Sequence, residues 1–440
     1  MKYRLALSVV GLCMMVVGCQ KATEVTYSAT DATLLHRCER QLTELIIHDI
    51  FSPPVSSRVY VYPSLAAYEA ARFAKAGSPS ITANLRDFEA IPAPEGAHDF
   101  RISAVRAFCQ TAKRVVFSKP EIQAFEDQLL AELKDQTTEE IFNRSVEFGT
   151  RVSDAVIKRL STDNYQETRG MDRYEVKALP GLWVPTPPDY ADGVEPHWPQ
   201  MKTMALDSNS QCDVALTIPY NEGKSSDFWK ELTEVYEMVN RVKEGSDEMD
   251  ILTFWDDNPF VSRHKGHLMF QDKKMTPGGH WMAINRIMAI HNQLDFVATA
   301  NSYAVTSVTL YDAFISCWNV KYSTARVRPE TVINDKVDKK WVPHLVTPPF
   351  PAFTSGHSTV SAAAAEALTF LYGDAIAYTD STEREFGLSV RNFSSFREAA
   401  LEASISRVYA GIHYRSDCEL GNVQGRKVGA VVFDRLTKGK

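Results

Sequence analysis

At 440 residues, with 44% hydrophobic and 23% charged side chains, the chain has the composition of a soluble globular protein. It has room for two domains, or for one large core with an extension. A formal net charge of -7 speaks against nucleic acid as a partner, so any cations that matter for function must be gathered locally. Seven cysteines at wide spacings, five of them beyond residue 19 (Cys38, Cys109, Cys212, Cys317 and Cys418), form neither a disulfide framework nor a Cys-x-x-Cys metal site, and read as small buried hydrophobes.

In chain order, residues 1–19 read as an export signal. Lys2 and Arg4 precede an apolar run, Leu5 to Val17, too short to span a bilayer, and it closes on Val16-Val17-Gly18-Cys19. That ending resembles the bacterial lipoprotein cleavage box, which implies lipidation of Cys19, with residues 20–30 as a tether. Gln20 after the cysteine favours the outer membrane of a bacterium or its periplasmic face. No later stretch reaches ~18 uninterrupted apolar residues, so the membrane is met through the lipid anchor only.

From Asp31, taken as an N-cap, Leu34, Leu35, Cys38, Leu42, Leu45 and Ile46 recur at helical spacing until Pro53-Pro54 ends the helix. A second helix is expected from Pro63-Ser64, and others over 103–117, 120–135 and 138–161. Residues 179–199 interleave six prolines with Trp183, Tyr190 and Trp198 and read as a long ordered strap. Helical pattern resumes at 226–243 and from 280 to about 320 with breaks. The stretch 330–353 reads as loop, and the last helices are expected over 356–372, 383–391, 395–409 and 412–437. Strand-like alternation is nearly absent, so the chain reads as all-α, with an N-terminal helical region at 31–250 and a catalytic region at 251–440.

Three blocks in the catalytic region carry chemistry. Lys321 stands before Arg328-Pro329; Ser355-Gly356-His357 opens an Ala-rich helical run; Ser406-Arg407 is followed by His413 and Asp417. A Ser hydroxyl and a Gly amide at a helix N-terminus favour an anion. Lys321, Arg328 and Arg407 can neutralise a tetrahedral oxyanion, the Arg forks matching paired oxygens. Pro329 is expected to end a helix at Arg328. His413 and Asp417 are one helical turn apart, so the carboxylate can take the Nδ1 proton and leave Nε2 to attack phosphorus or ligate a metal. His357 is left for acid–base work. An acidic residue of Trp255-Asp256-Asp257-Asn258 could pair with an active-site Arg or cap a loop.

These blocks resemble the phosphatidic acid phosphatase type 2 and vanadium-dependent haloperoxidase superfamily, whose pattern is Lys-x6-Arg-Pro, Pro-Ser-Gly-His and Ser-Arg-x5-His-x3-Asp. Thr354 alone departs, standing where the family has proline. The resemblance covers about 321–417. It implies a multi-helix bundle with vanadate held by Lys321, Arg328, Ser355, Gly356 and Arg407, and with vanadium bound by His413. His357, His413 and Asp417 would be catalytic, and hydrogen peroxide and halide the substrates. Trp318 and Phe350 match the apolar halide pocket of the chloroperoxidase-type branch. The alternative is an acid phosphatase using His413 as a phosphohistidine on a phosphoester, without a metal. A non-catalytic anion-binding lipoprotein would need neither histidine. The resemblance also implies a homodimer.

Overall fold

The computed structural model describes residues 27–257, 262–265, 268–271 and 274–438, with no side-chain description between 258 and 273. The signal segment, Cys19 and most of the tether lie outside the described residues, as does Asn258.

The described chain is helical, as its sequence predicts. The first helix, α1 (Ala29–His48), starts two residues before Asp31. Ser28 is the N-cap, and Asp31 reaches back to the Ser28 N–H, completing a capping box. Pro53-Pro54 opens α2 (Pro53–Ala71), and Pro63 lies inside that helix instead of starting it. A proline pair suits the first turn, where the N–H groups have no acceptor; every side chain of α2 is buried, so packing overrides the Pro63 break. Next come α3 (Phe100–Ala112), α4 (Lys119–Lys134), α5 (Glu139–Leu160) and a short α6 (Tyr165–Arg169).

After the Pro-rich strap come α7 (Asp227–Arg241), α8 (Asp247–Phe254) and a hairpin of β1 (Ser262–Lys265) and β2 (Leu268–Gln271). They lead to α9 (Pro277–His291) and the 29-residue α10 (Phe296–Thr324). Pro329 does not end a helix: α10 stops at Thr324, and Pro329 opens α11 (Pro329–Lys336) with Arg328 as its N-cap, inside the stretch expected to be loop. The chain closes with α12 (Gly356–Tyr372), a hairpin of β3 (Tyr378–Asp380) and β4 (Arg391–Phe393), α13 (Phe396–Tyr409) and α14 (Arg415–Lys438). The hairpin, with a 3-10 turn at Thr382–Phe386, replaces the helix expected over 383–391, where Gly387 takes a left-handed conformation.

One apolar core runs from Leu34 to Val432, with α2 and α10 at its centre, and takes in residues of both the 31–250 and 251–440 regions. The segment just after the strap is tied to it: Asp312 of α10, fully buried, accepts the backbone N–H groups of Met204, Ala205 and Leu206 at 2.7–2.9 Å. Trp183 and Trp198 are buried and Tyr190 is exposed. The five described cysteines are free and buried. No described helix is long and apolar enough to cross a membrane.

The closest helix approach places the anion-binding blocks. Gly421, Gly425 and Gly429 form one stripe of α14 against α12. A Cβ on Gly425 would fall 2.1 Å from the Thr359 carbonyl oxygen, and one on Gly421 would lie 3.1 Å from that of Ser355. The backbones can therefore touch, and the Ser355 N–H donates to the Asp417 carbonyl at 3.0 Å, joining the second block to the third. Gly425→Ala should force the helices apart and cost about 1–3 kcal/mol. Denaturant unfolding checks this, and unchanged stability would mean the contact is not tight.

Candidate active site

Each block is delivered by a helix end. Lys321 lies in the last turn of α10, Arg328 caps α11, Ser355 caps α12, and Arg407 lies in the last turn of α13. His413 sits in the turn before α14 and Asp417 in its first turn, so the expected His–Asp pair forms across a helix start, not within a helix.

Three cations converge there, buried, and their hydrogen bonds go to neutral groups. Lys321 Nζ donates to the Pro351 and Ala352 carbonyls at 2.9 and 3.3 Å. Arg328 donates to the Phe350 and Ile412 carbonyls at 2.8 and 2.7 Å and to His413 Nε2 at 3.1 Å. Arg407 donates to Ser406 Oγ at 2.9 Å and the Trp255 carbonyl at 2.6 Å. Among the described residues none of the three makes an ion pair. Burial pulls Lys321 down to about 7 and Arg328 to about 10, and it also lowers Arg407.

Buried cations without counter-ions are costly, which is the electrostatic signature of a site made for an anion. The rest of the donor set fits a tetrahedral oxyanion. The Ser355 hydroxyl accepts the Ser358 N–H at 3.3 Å and has a proton of its own that can donate. A Cβ on Gly356 would sit 3.7 Å from the Trp318 ring and 3.9 Å from Lys321 Cε, so the glycine keeps that side of the cage open.

The histidines differ in their surroundings. His413 Nδ1 faces Asp417 Oδ2 at 3.2 Å, while Nε2 receives an Arg328 N–H. Arginine only donates, so the proton lies on Nδ1 and Nε2 carries the lone pair. Burial, and then Arg328, hold His413 well below the ordinary imidazole range. His357 is pushed to about 4 by burial and then by Arg407. Its Nε2 has no hydrogen-bond partner and lies 3.7 Å from Asp257 Oδ2, which is also unpaired.

Trp318 and Phe350 meet beside this cage with ring centroids 5.1 Å apart. With Phe314, Leu345, Val346 and Pro348 they line an apolar side of a cleft whose other walls include Gly356, His357, Arg407 and His413. The Trp318 indole donates to the Val194 carbonyl of the strap at 3.1 Å, so the strap orients the pocket without lending it an aromatic side chain.

Two supporting groups escaped the sequence reading. Arg326 donates to Asp417 Oδ1 at 2.5 Å and to Glu231 at 3.1 Å; despite burial, it holds the Asp417 carboxyl down at about 2. Arg326 stands two residues before Arg328, but its partner Glu231 lies on α7, almost a hundred residues upstream. For Asp256 and Asp257 the sequence leaves open a pairing with an active-site arginine or a loop cap. Instead Asp256 pairs with Lys274 at 2.5 Å, Asp257 faces His280 and His357, and it is the Trp255 carbonyl that takes Arg407.

Comparison with known proteins agrees with this arrangement. Residues 301–439 match the family model described as the VCPO second helical-bundle domain. Comparison with curated protein sequences gives no match. The crystal structure of the first bacterial vanadium-dependent iodoperoxidase superposes with a TM-score of 0.87 at 40% identity, over 93% of this chain and 97% of that one. Holo and apo structures of a bacterial vanadium-dependent chloroperoxidase share the fold. Their TM-scores are 0.67 and 0.65 at 14% and 15% identity, covering 89% and 88% of this chain and 93% and 94% of theirs. With a relative of that identity along nearly its whole length, the chain belongs to the vanadium-dependent haloperoxidase family.

Proposed function

We propose that this protein oxidises halide with hydrogen peroxide at a vanadate held by Lys321, Arg328, Ser355, Gly356 and Arg407, with His413 Nε2 as the ligand to vanadium. The observation that carries the reading is the set of three buried cations left without a carboxylate beside an imidazole whose Nε2 carries the lone pair. Vanadate, when bound, supplies a Lewis-acidic centre that activates peroxide toward halide. The protein's own part is positional and electrostatic. Asp417 fixes the His413 tautomer and ring direction. The buried cations stabilise negative charge where water is scarce. His357, neutral at neutral pH before the anion arrives, is placed to take a proton from incoming peroxide and return it to departing oxygen. Trp318 and Phe350 give halide an apolar approach in which part of its hydration is stripped away.

The same cage suits phosphate, so the decisive experiment is a paired assay on protein lacking residues 1–19. Halide oxidation that requires added orthovanadate, with iodide and bromide run in parallel, is the expected result. Hydrolysis of an aryl phosphate that vanadate inhibits, with no halide oxidation, would make the protein a phosphatase. His413→Ala should reduce turnover by about a thousandfold or more by removing the ligand; retained turnover would remove His413 from that role. We further propose that Cys19 carries lipid and tethers the enzyme outside the cytoplasm, on the strength of the Val16-Val17-Gly18-Cys19 box. Mass spectrometry of the N-terminal peptide from membranes tests that.

A pH dependence follows from Lys321. Its ammonium is the form that holds an oxyanion, and burial lowers it to about 7. Below that pH the charge is already present. Above it, vanadate binding must take up a proton, and affinity should fall by up to about tenfold per pH unit. Calorimetry at pH 8 in two buffers of different ionisation enthalpy should register that uptake. In Lys321→Arg, which stays charged, the Lys321 share of the uptake should vanish; an unchanged value would rule out Lys321 as its source.

A further inference from the structure

Behind His357 lies a second buried histidine that the proposed chemistry does not use. His280 of α9 is fully buried, with carboxylates at both ring nitrogens: Nδ1 is 3.1 Å from Asp257 Oδ1, and Nε2 is 3.0 Å from Asp380 Oδ2. A neutral imidazole has one N–H, so one of these contacts would set a lone pair against an anion; only the imidazolium satisfies both. The Thr382 hydroxyl, 2.7 Å from Nε2, could donate to a lone pair there, but Asp380 would still be repelled. The Trp255 ring stacks on the imidazole at 4.5 Å and 20°, a favourable arrangement for a cation. The Thr382 N–H fixes the other Asp380 oxygen at 3.0 Å. The far oxygen of Asp257 faces His357 Nε2 at 3.7 Å.

We infer that His280, clamped as a cation between Asp257 and Asp380, is a positioning residue that keeps Asp257 ionised and turned toward His357. This rests on the acid–base role proposed for His357. Among the described residues the charged groups around the line are Asp256 and Asp257 after α8, Lys274 ahead of α9, Asp380 and Glu383 after α12, and Arg407 at the end of α13. Glu383 lies 3.6 Å from His280 Nδ1, and burial, with Asp257 next, pushes its carboxyl up to about 8, so it does not compete for the cation at neutral pH. Burial alone would discharge His280, but Asp257 and Asp380 together carry it well above the ordinary imidazole range. Without that cation, three buried carboxyl groups would share one pocket. Asp257 would then take up a proton, and its attraction for a protonated His357 would be lost.

The first test needs neither vanadate nor peroxide nor halide. In nitrogen-15 NMR of histidine-labelled protein, one of the eleven histidines should keep both ring nitrogens protonated from pH 5 to 9. Asp380→Asn should shift that signal and so assign it. If every buried histidine is neutral by pH 9, the inference fails, whatever the enzyme's activity. The second test is kinetic. His280→Gln, or Asp380→Asn if the former does not fold, should lower kcat about 10- to 100-fold while leaving vanadate affinity within a few-fold. The pH–rate limb that follows His357 should move down by on the order of one unit. The same substitution in an Asp257→Asn background should add nothing; additive losses would overturn the proposal. A stoichiometric divalent ion removable by EDTA from Asp257, His280 and Glu383 would also overturn it, by making the cluster a metal site.

Discussion

Lys321, Arg328 and Arg407 are buried with only carbonyls, a hydroxyl and a neutral imidazole to receive their hydrogen bonds. Moving a charged side chain out of water costs several kcal/mol even after the protein relaxes, and among the described residues no carboxylate forms an ion pair with these three to offset it in full. The cost is borne by the large core around them, built on α2 and α10, and is relieved when an anion arrives. That stored electrostatic demand is what lets a neutral-looking set of helices bind a small, highly charged ion. It also explains the downward shifts of Lys321 and Arg328, which reflect the same missing counter-charge.

The carboxylates near the cage are kept from filling that demand themselves. Three of them are held from behind by another cation. Asp417 is engaged by Arg326, Asp256 by Lys274 and Asp257 by His280. With those partners in place, Asp417 can orient His413 without collapsing onto Arg328, and Asp257 can face His357 without neutralising Arg407. An outer layer of paired anions therefore surrounds an inner layer of cations that make no ion pair. The two layers come from different parts of the chain. The inner one lies between 321 and 417, while the outer one recruits Glu231, Asp257, Lys274 and His280 as well.

That division explains what could be read from the sequence. The inner layer was legible because every member sits at a helix end, within a short block whose spacing is fixed by local geometry. Ser355 must precede Gly356 at the start of α12, and His413 and Asp417 must be four apart across one helix start. Helix positions were legible wherever one face alternated, as in α5 and α7. They failed where burial was complete, as in α2, whose internal Pro63 carries no boundary information once every face is packed. Pro329 misled for a related reason, since a proline suits the first turn of a new helix as well as the end of an old one. The outer layer left no local trace: His280 and Asp380 are a hundred residues apart and meet only through the fold.

The apolar wall completes the physical argument for a peroxidase over a phosphatase. A cage of cations alone treats phosphate and vanadate much alike, since both are tetrahedral oxyanions of similar charge. Phosphomonoester hydrolysis, however, must admit water to the reacting phosphorus, and a surface that excludes water works against it. Halide oxidation has the opposite need, because a partly dehydrated halide is the better nucleophile and stray water would divert activated oxygen. Here Trp318, Phe314 and Phe350 cover one side of the cleft, and the Lys321 ammonium lies 4.9 Å from the Phe350 ring centroid. The Lys321 charge thus lies against aromatic carbon on that side of the cleft. Burial lowers the Lys321 ammonium to about 7, so the cation that holds the oxyanion and the apolar wall beside it belong to one packing arrangement.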